Sequence, residues 1–428
     1  EEEDEGEDEG EGEGGRRRMS PLSAESWKQQ FDEEGRLINL KVLRVFIFYG
    51  GCADNIRKEV WPFLLGVFSP ESTTEQRETL MEEKRAEYAI IKQQWSTVTK
   101  TQLKNHKVLS EFRSNIHKDV IRTDRADEFY HGEENEHVDT LFNILMSYLY
   151  YNWDVGYEQG MNDLLSPILM VCEGDEALAF WCFVGLLDML KTNFQKDEAG
   201  IHIQLEILRL LLKLLDPELH DYFEEKNCFP MIFCFRWIVV HFKREFSLPD
   251  IMMLWEIIWS RHLSPLFHLF IALAILTFIR QQIIMEQLGF AEMIEYITLL
   301  SNSISLEKVL LKAETLYYEW GLLPTTLEGN KPEFKECMDL MNQLTKMLGI
   351  EKEANRMATE MTRSKKNMMD DDEDPVTVSD LENEKSEENG EINDDDKEGK
   401  EKEEEKEKRK RSTSLFDTLK NKIISPSP

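Results

Sequence analysis

The chain has 428 residues, 41% hydrophobic and 31% charged, which is enough for one large or two medium domains with a sizeable core and excludes collagen-like and disulfide-scaffold classes. Lys and Arg total 51 against 83 Asp and Glu, a net charge of -32. So acidic a chain is a poor phosphate-backbone binder, and no nucleic acid is expected among its partners.

Residues 1–18 hold ten carboxylates against Arg16, Arg17 and Arg18. With little to bury and much self-repulsion, 1–20 is expected to be a disordered acidic segment. The first methionine is Met19, as in a piece of a longer protein. From Pro21 to about Leu323 the sequence is rich in aliphatic and aromatic residues and poor in alternating strands, so 21–323 predicts one irregular all-α domain. Val108, Phe112, Ile116 and Val120 recur every four residues as a stripe on a helix, and Val138, Leu141, Phe142, Leu145 and Leu149 form a second. Between Ile201 and Leu215 His202, Glu206, Arg209 and Lys213 interrupt a largely apolar run, which predicts a thin wet stripe on a helix otherwise covered by a multi-helix core. Ser247 with Pro249, and Ser264 with Pro265, predict N-caps and first turns for helices over 250–260 and 266–285. The longest apolar stretch, residues 265–279, carries His268 and is shorter than the ~20 residues of a membrane-spanning helix.

Residues 324–350 are expected to form a helical or polar extension. Beyond them, 351–428 predicts a disordered acidic tail, since 367–408 holds twenty carboxylates against six lysines. At its end the basic run 408–411 precedes Leu415, Phe416, Leu419, Ile423 and Ile424. That pattern is either a solvated tail with a chance apolar cluster or a peptide docking on a membrane surface or adaptor groove. The six cysteines (Cys52, Cys172, Cys182, Cys228, Cys234, Cys337) have no CxxC spacing, and several lie in apolar runs. Free thiols in a reducing compartment are expected, and with no signal peptide read from the sequence the location is expected to be cytoplasmic.

The sequence contains no phosphate-cradling glycine motif, no GxSxG and no HExxH. His131 to His137 is metal-capable in composition but reads as a wet loop between helices, so no metal site is expected. Two segments stand out. In the first, Ile116 and Val120 face the core while Asp119 and Arg122, three residues apart, are neighbours on the helix surface. They form either an ordinary surface ion pair or a carboxylate that orients a guanidinium whose free donors project outward. In the second, Gly156-Tyr157-Glu-Gln159-Gly160-Met161-Asn162-Asp163, the glycines permit tight backbone geometry and close approach by another molecule. An amide on such a loop is no general base, yet it holds a water by donating and accepting at once. Asn162 and Asp163 are expected to be caps of the loop or of the next helix.

The pair IxxDxxR (Ile116, Asp119, Arg122) and YxQGM (Tyr157, Gln159, Gly160, Met161) resembles the two catalytic motifs of the TBC-domain Rab GTPase-activating proteins. Further matches follow in family order over about Gly51 to Ser260: Arg57-Lys-Glu-Val-Trp61, Leu64-Leu65-Gly66, Ala179-Phe-Trp-Cys-Phe183, Phe235-Arg-Trp237, Arg244-Glu245-Phe246 and Leu254-Trp255-Glu256. The wording around them, such as Arg122-Thr-Asp-Arg125 and Phe129-Tyr130, is most similar to the subfamily of mammalian members fifteen and seventeen and the yeast vacuolar Rab GAP. The resemblance implies a two-lobed helical domain whose groove receives the switch regions of a GTP-bound Rab. It implies Arg122 as an arginine finger, Gln159 as the residue orienting the attacking water, Asp119 as the residue positioning Arg122, and Tyr157 packed beneath the glutamine loop. Trp61 and Arg57 are expected to be structural. No cofactor of its own is implied, because GTP and magnesium belong to the Rab. A cytoplasmic protein recruited to endosomal or other organelle membranes is implied, with late-endosomal or lysosomal Rabs as substrates. The rival is a helical adaptor that binds a Rab without stimulating hydrolysis.

Overall fold

The computed structural model describes residues 18–195 and 197–350; the acidic segment before them, the acidic tail and the pattern at 408–424 lie outside the described residues. Side-chain caps fix where the helices begin. Asn39 opens Leu40–Gly50 by accepting from the Val42 amide, and Thr73 opens the 23-residue Thr74–Ser96 through a reciprocal box with Gln76. Asn135 and Asp175 cap Glu136–Tyr151 and Glu176–Met189. Among the described residues no strand ladder forms, only isolated bridges between Leu22 and Cys52 and between Phe31 and Leu37.

The helices gather in two lobes. Thr74–Ser96, Lys107–Val120, Glu136–Tyr151, Met161–Val171 and Glu176–Met189 pack on one another as the first. Ala199–Leu215, Phe267–Met285, Leu306–Leu322 and Pro332–Leu348 build the second. The all-α, two-lobed class expected from the sequence is the one observed. Leu248–Ser260 packs against the N-terminal helices Leu40–Gly50 and Arg57–Leu64, and one carboxylate organises that contact. Glu256 is fully buried; its Oε1 accepts from Arg57 Nε at 2.7 Å and Trp61 Nε1 at 2.9 Å, and its Oε2 from the Cys52 amide at 2.8 Å. Burial lifts the Glu256 carboxyl above its usual range against the pull of Arg57. Trp61 and Arg57 are thus structural, as expected.

The structure corrects several details. Val108 is 51% exposed while Leu109 is buried. A strict spacing of four advances about 40° per step, so over three steps the stripe drifts about 120° around the helix and leaves the core at its N-terminal end. The helix predicted from Ser264 and Pro265 begins at Phe267 without a side-chain cap. Ser264 Oγ instead accepts from the Leu266 amide at 3.1 Å, closing a turn ahead of it. That helix, Phe267–Met285, extends past the apolar stretch read from the sequence and is long and apolar enough to cross a membrane. Leu269 to Leu276 are nevertheless all buried, packed between Ala199–Leu215 and Leu306–Leu322, as in the core helix of a globular lobe. The wet stripe on Ala199–Leu215 is only half-exposed because Pro332–Leu348 lies over that helix, with Lys213 Nζ 2.8 Å from Glu333. All six cysteines are buried free thiols.

Candidate functional site

Lys107–Val120 ends with Ile116 and Val120 sealed in the core, which fixes the face that the following residues present. Asp119 points inward and is 5% exposed; Arg122, just past the helix end, has a side chain 42% exposed. The turn after it is held at three points. Thr123 Oγ1 donates to the Asp119 carbonyl at 2.7 Å, and the Asp124 carboxylate accepts from Ser166 Oγ at 2.6 Å and from Lys243 Nζ at 3.0 Å.

The glutamine segment leaves Glu136–Tyr151 through a turn that two glycines make possible. Gly156 has φ +75°, and a Cβ there would stand 2.9 Å from the Phe112 ring. Gly160 has φ +106° and opens Met161–Val171; a Cβ there would stand 2.7 Å from Val240 Cγ1. Tyr157, between them, is buried, and Gln159 is half-buried.

The two segments meet on one carboxylate. Asp119 Oδ1 accepts from Arg122 Nη2 at 2.6 Å, and Oδ2 accepts from the Tyr157 hydroxyl at 2.6 Å. Burial, reinforced by the charge of Asp119, holds the Tyr157 hydroxyl well above its ordinary pKa, so it remains a donor. With both oxygens engaged, Asp119 fixes the base of the arginine while the outer part of the guanidinium stays accessible. Tyr157 therefore does more than pack beneath the glutamine loop: it bonds the loop to the residue that holds the arginine.

Asn162 and Asp163 stand inside the first turn of Met161–Val171. Asn162 caps the loop end by bonding the Gly160 amide, as expected, but its Nδ2 and the whole Asp163 carboxylate reach other elements. Asn162 Nδ2 donates to Thr123 Oγ1 at 2.9 Å and its Oδ1 accepts from the Gly160 amide at 3.2 Å. Asp163 accepts from Arg244 Nη2 at 2.7 Å and Nε at 3.2 Å. Lys243 and Arg244 thus tie both segments to the chain that follows the Phe235–Val239 helix. The sequence carried one usable signal: polar residues opening a helix that is otherwise apolar need partners elsewhere. The expected 131–137 loop ends at Asn135: His137 stands in the first turn of Glu136–Tyr151, and its ring stacks on Phe129 at 3.8 Å. A cleft of about 690 Å³ lies elsewhere, lined among others by Trp181, Trp259 and His268, and none of the candidate residues lines it.

Residues 54–284 match the Rab-GTPase-TBC domain model, and the chain belongs to that family. It is 40% identical over 307 residues to TBC1 domain family member 17 of Mus musculus, covering 72% of this chain and 47% of that protein. It is 37% identical over 319 residues to GTPase-activating protein gyp7 of Schizosaccharomyces pombe, covering 71% and 42%. The chain therefore spans about half the length of the curated relatives it matches. Among solved structures, the Ypt/Rab-GAP domain of Gyp1p shares the fold with a TM-score of 0.59 at 23% identity, covering 69% of this chain and 98% of that one.

Proposed function

We propose that this chain is a GTPase-activating protein for a GTP-bound Rab, supplying Arg122 and Gln159 in trans. GTP and its magnesium arrive with the Rab as substrate. Arg122 places delocalised positive charge where negative charge develops between the β- and γ-phosphoryl groups, and Gln159 donates and accepts to hold the attacking water in line. Docking excludes water from the guanidinium and strengthens its pull on that charge. An arginine finger accelerates hydrolysis by a factor of order 10³–10⁵.

The observation that carries this reading is the shared carboxylate: Asp119 receives Arg122 on one oxygen and Tyr157, two residues before Gln159, on the other. A lone surface ion pair has no need of that second bond. Activity on a membrane-bound Rab, with recruitment from the cytoplasm to endosomal or other organelle membranes, follows from the same reading. Single-turnover GTP hydrolysis across a Rab panel, with and without the protein, tests it. Acceleration of at least one Rab that disappears in Arg122→Ala supports the proposal; binding without acceleration favours the adaptor.

A further inference from the structure

Two turns carry the proposed fingers, and a single hydrogen bond between them would leave a hinge. The Tyr157–Asp119 bond is one link. The other runs through Asn162, whose amide uses both of its functions on different segments: Nδ2 donates to Thr123 Oγ1, one residue past Arg122, while Oδ1 accepts from the Gly160 amide, one residue past Gln159. Asn162 is 4% exposed and Thr123 3%, so solvent does not readily replace a lost bond. The backbone of Asn162 is itself fixed in the first turn of a buried helix. The Tyr157 hydroxyl also lies 3.3 Å from Asn162 Oδ1, so the two links join into one buried network between the turns.

We propose that Asn162 is a positioning residue for both fingers, setting the separation of Arg122 and Gln159 by bonding their turns to each other. This rests on the GTPase-activating reading above. Asn162 touches neither nucleotide nor water; it acts through the geometry of the two turns. Its donor is the specific requirement: the Thr123 hydroxyl already donates to the Asp119 carbonyl, so it meets Asn162 as an acceptor. An aspartate at 162 keeps the bond from Gly160 and loses the one to Thr123.

The test has two arms. In single-turnover assays on the Rab that responds to the wild-type chain, Asn162→Ala and Asn162→Asp should each lower kcat roughly a hundredfold, the scale of a 1 Å misplacement, with KM within about threefold. Thr123→Val should reproduce the loss from the other side of the bond, Thr123→Ser should retain activity, and Asn162→Ala with Thr123→Val should cost little more than either alone. Wild-type kcat in Asn162→Ala, or a loss confined to KM, overturns the proposal. Arg122→Ala and Gln159→Ala run alongside: if they keep full stimulation, it is the finger reading that fails. The second arm needs no GTPase. Hydrogen exchange on the full chain should speed up in Asn162→Ala at both 121–125 and 156–161 while the core helices keep their protection. Faster exchange in only one turn, or unchanged exchange in both, overturns the link.

Discussion

Asp119 and Tyr157 stand 38 residues apart in the chain and 2.6 Å apart in space, carboxylate to hydroxyl. That contact converts two local motifs into one site, because the other carboxylate oxygen holds Arg122. It also shows what the arginine can lose without unfolding the protein: the guanidinium is the exposed member of the set, and Asp119 keeps its buried donor when Arg122 is replaced.

Arg122→Lys should therefore be nearly as damaging to GTPase stimulation as Arg122→Ala. A planar fork bridges two phosphate oxygens while remaining tied to Asp119, whereas an ammonium is a point charge on a flexible stem. The thermal midpoint should fall in Arg122→Ala, which leaves the buried Asp119 carboxylate without its cation, and fall less in Arg122→Lys, which keeps a positive charge beside it. A lysine variant with most of its activity would reduce Arg122 to a steering charge.

If Gln159 orients the water, a Rab whose own switch glutamine is replaced by leucine should still be stimulated by the wild-type chain. Gln159→Ala should abolish that residual stimulation while the two proteins still bind. A leucine Rab that binds but is wholly refractory would make Gln159 a turn residue only.

Gly160→Ala should cost stability, by about 1–3 kcal/mol, and most of the stimulation. Two effects act together: φ of +106° disfavours any side chain, and the new methyl would meet Val240 Cγ1 at 2.7 Å. Adding Val240→Ala removes the clash but not the backbone strain, so the double variant should recover part of the activity. Urea denaturation and single-turnover rates on the same samples check both effects; full recovery would show that only the clash matters.

His241 and His268 predict an acid-sensitive core. Burial lowers the His241 pKa from 6.5 to about 4, and His268, stacked on it at 5.4 Å between ring centroids, is pushed well down by burial and by its neighbour. The unfolded chain takes up these protons first. Stability is therefore fully present above pH about 6.5 and falls as pH drops toward 4, by up to ~1.4 kcal/mol per pH unit for each histidine. His241→Gln should give a shallower decline of urea-derived stability between about pH 7 and pH 5, whatever its stability at neutral pH. An unchanged slope would place the acid sensitivity elsewhere.

A chain trimmed to residues 18–350 should stimulate its Rab as well as the full chain does; a tenfold loss of kcat/KM would assign a tail to the site. Arg18 belongs inside the boundary because its guanidinium donates to the Phe48 carbonyl at 2.6 Å. A cut after Leu323 should instead cost at least about 2 kcal/mol by urea denaturation. It removes the helix that buries Cys337 and Leu344 completely and uncovers the face of Ala199–Leu215 beneath it. Equal stability of the two truncations would show that Pro332–Leu348 is an appendage.

What the sequence revealed was local. Ile116, Asp119 and Arg122 share a helix end, so helical spacing alone makes the last two neighbours, and the glycines around Gln159 announce a special backbone. Contacts between distant segments were invisible. Nothing near Glu256 points to Arg57 and Trp61 some 200 residues earlier. Nothing near Asn162 points to Thr123, and a polar residue at the start of a helix suggests a cap by default. Val108 was misplaced for a third reason: a spacing of four approximates 3.6 over one turn and departs from it over three.

Lys243 and Arg244 are consecutive, yet one holds Asp124, beside the arginine turn, and the other Asp163, beside the glutamine turn. Both turns are thereby pinned from outside before any GTPase arrives. The entropy of ordering them is lost during folding rather than at encounter. Stopped-flow association should accordingly show a single phase whose rate rises linearly with Rab concentration, without the plateau that a slow closure imposes.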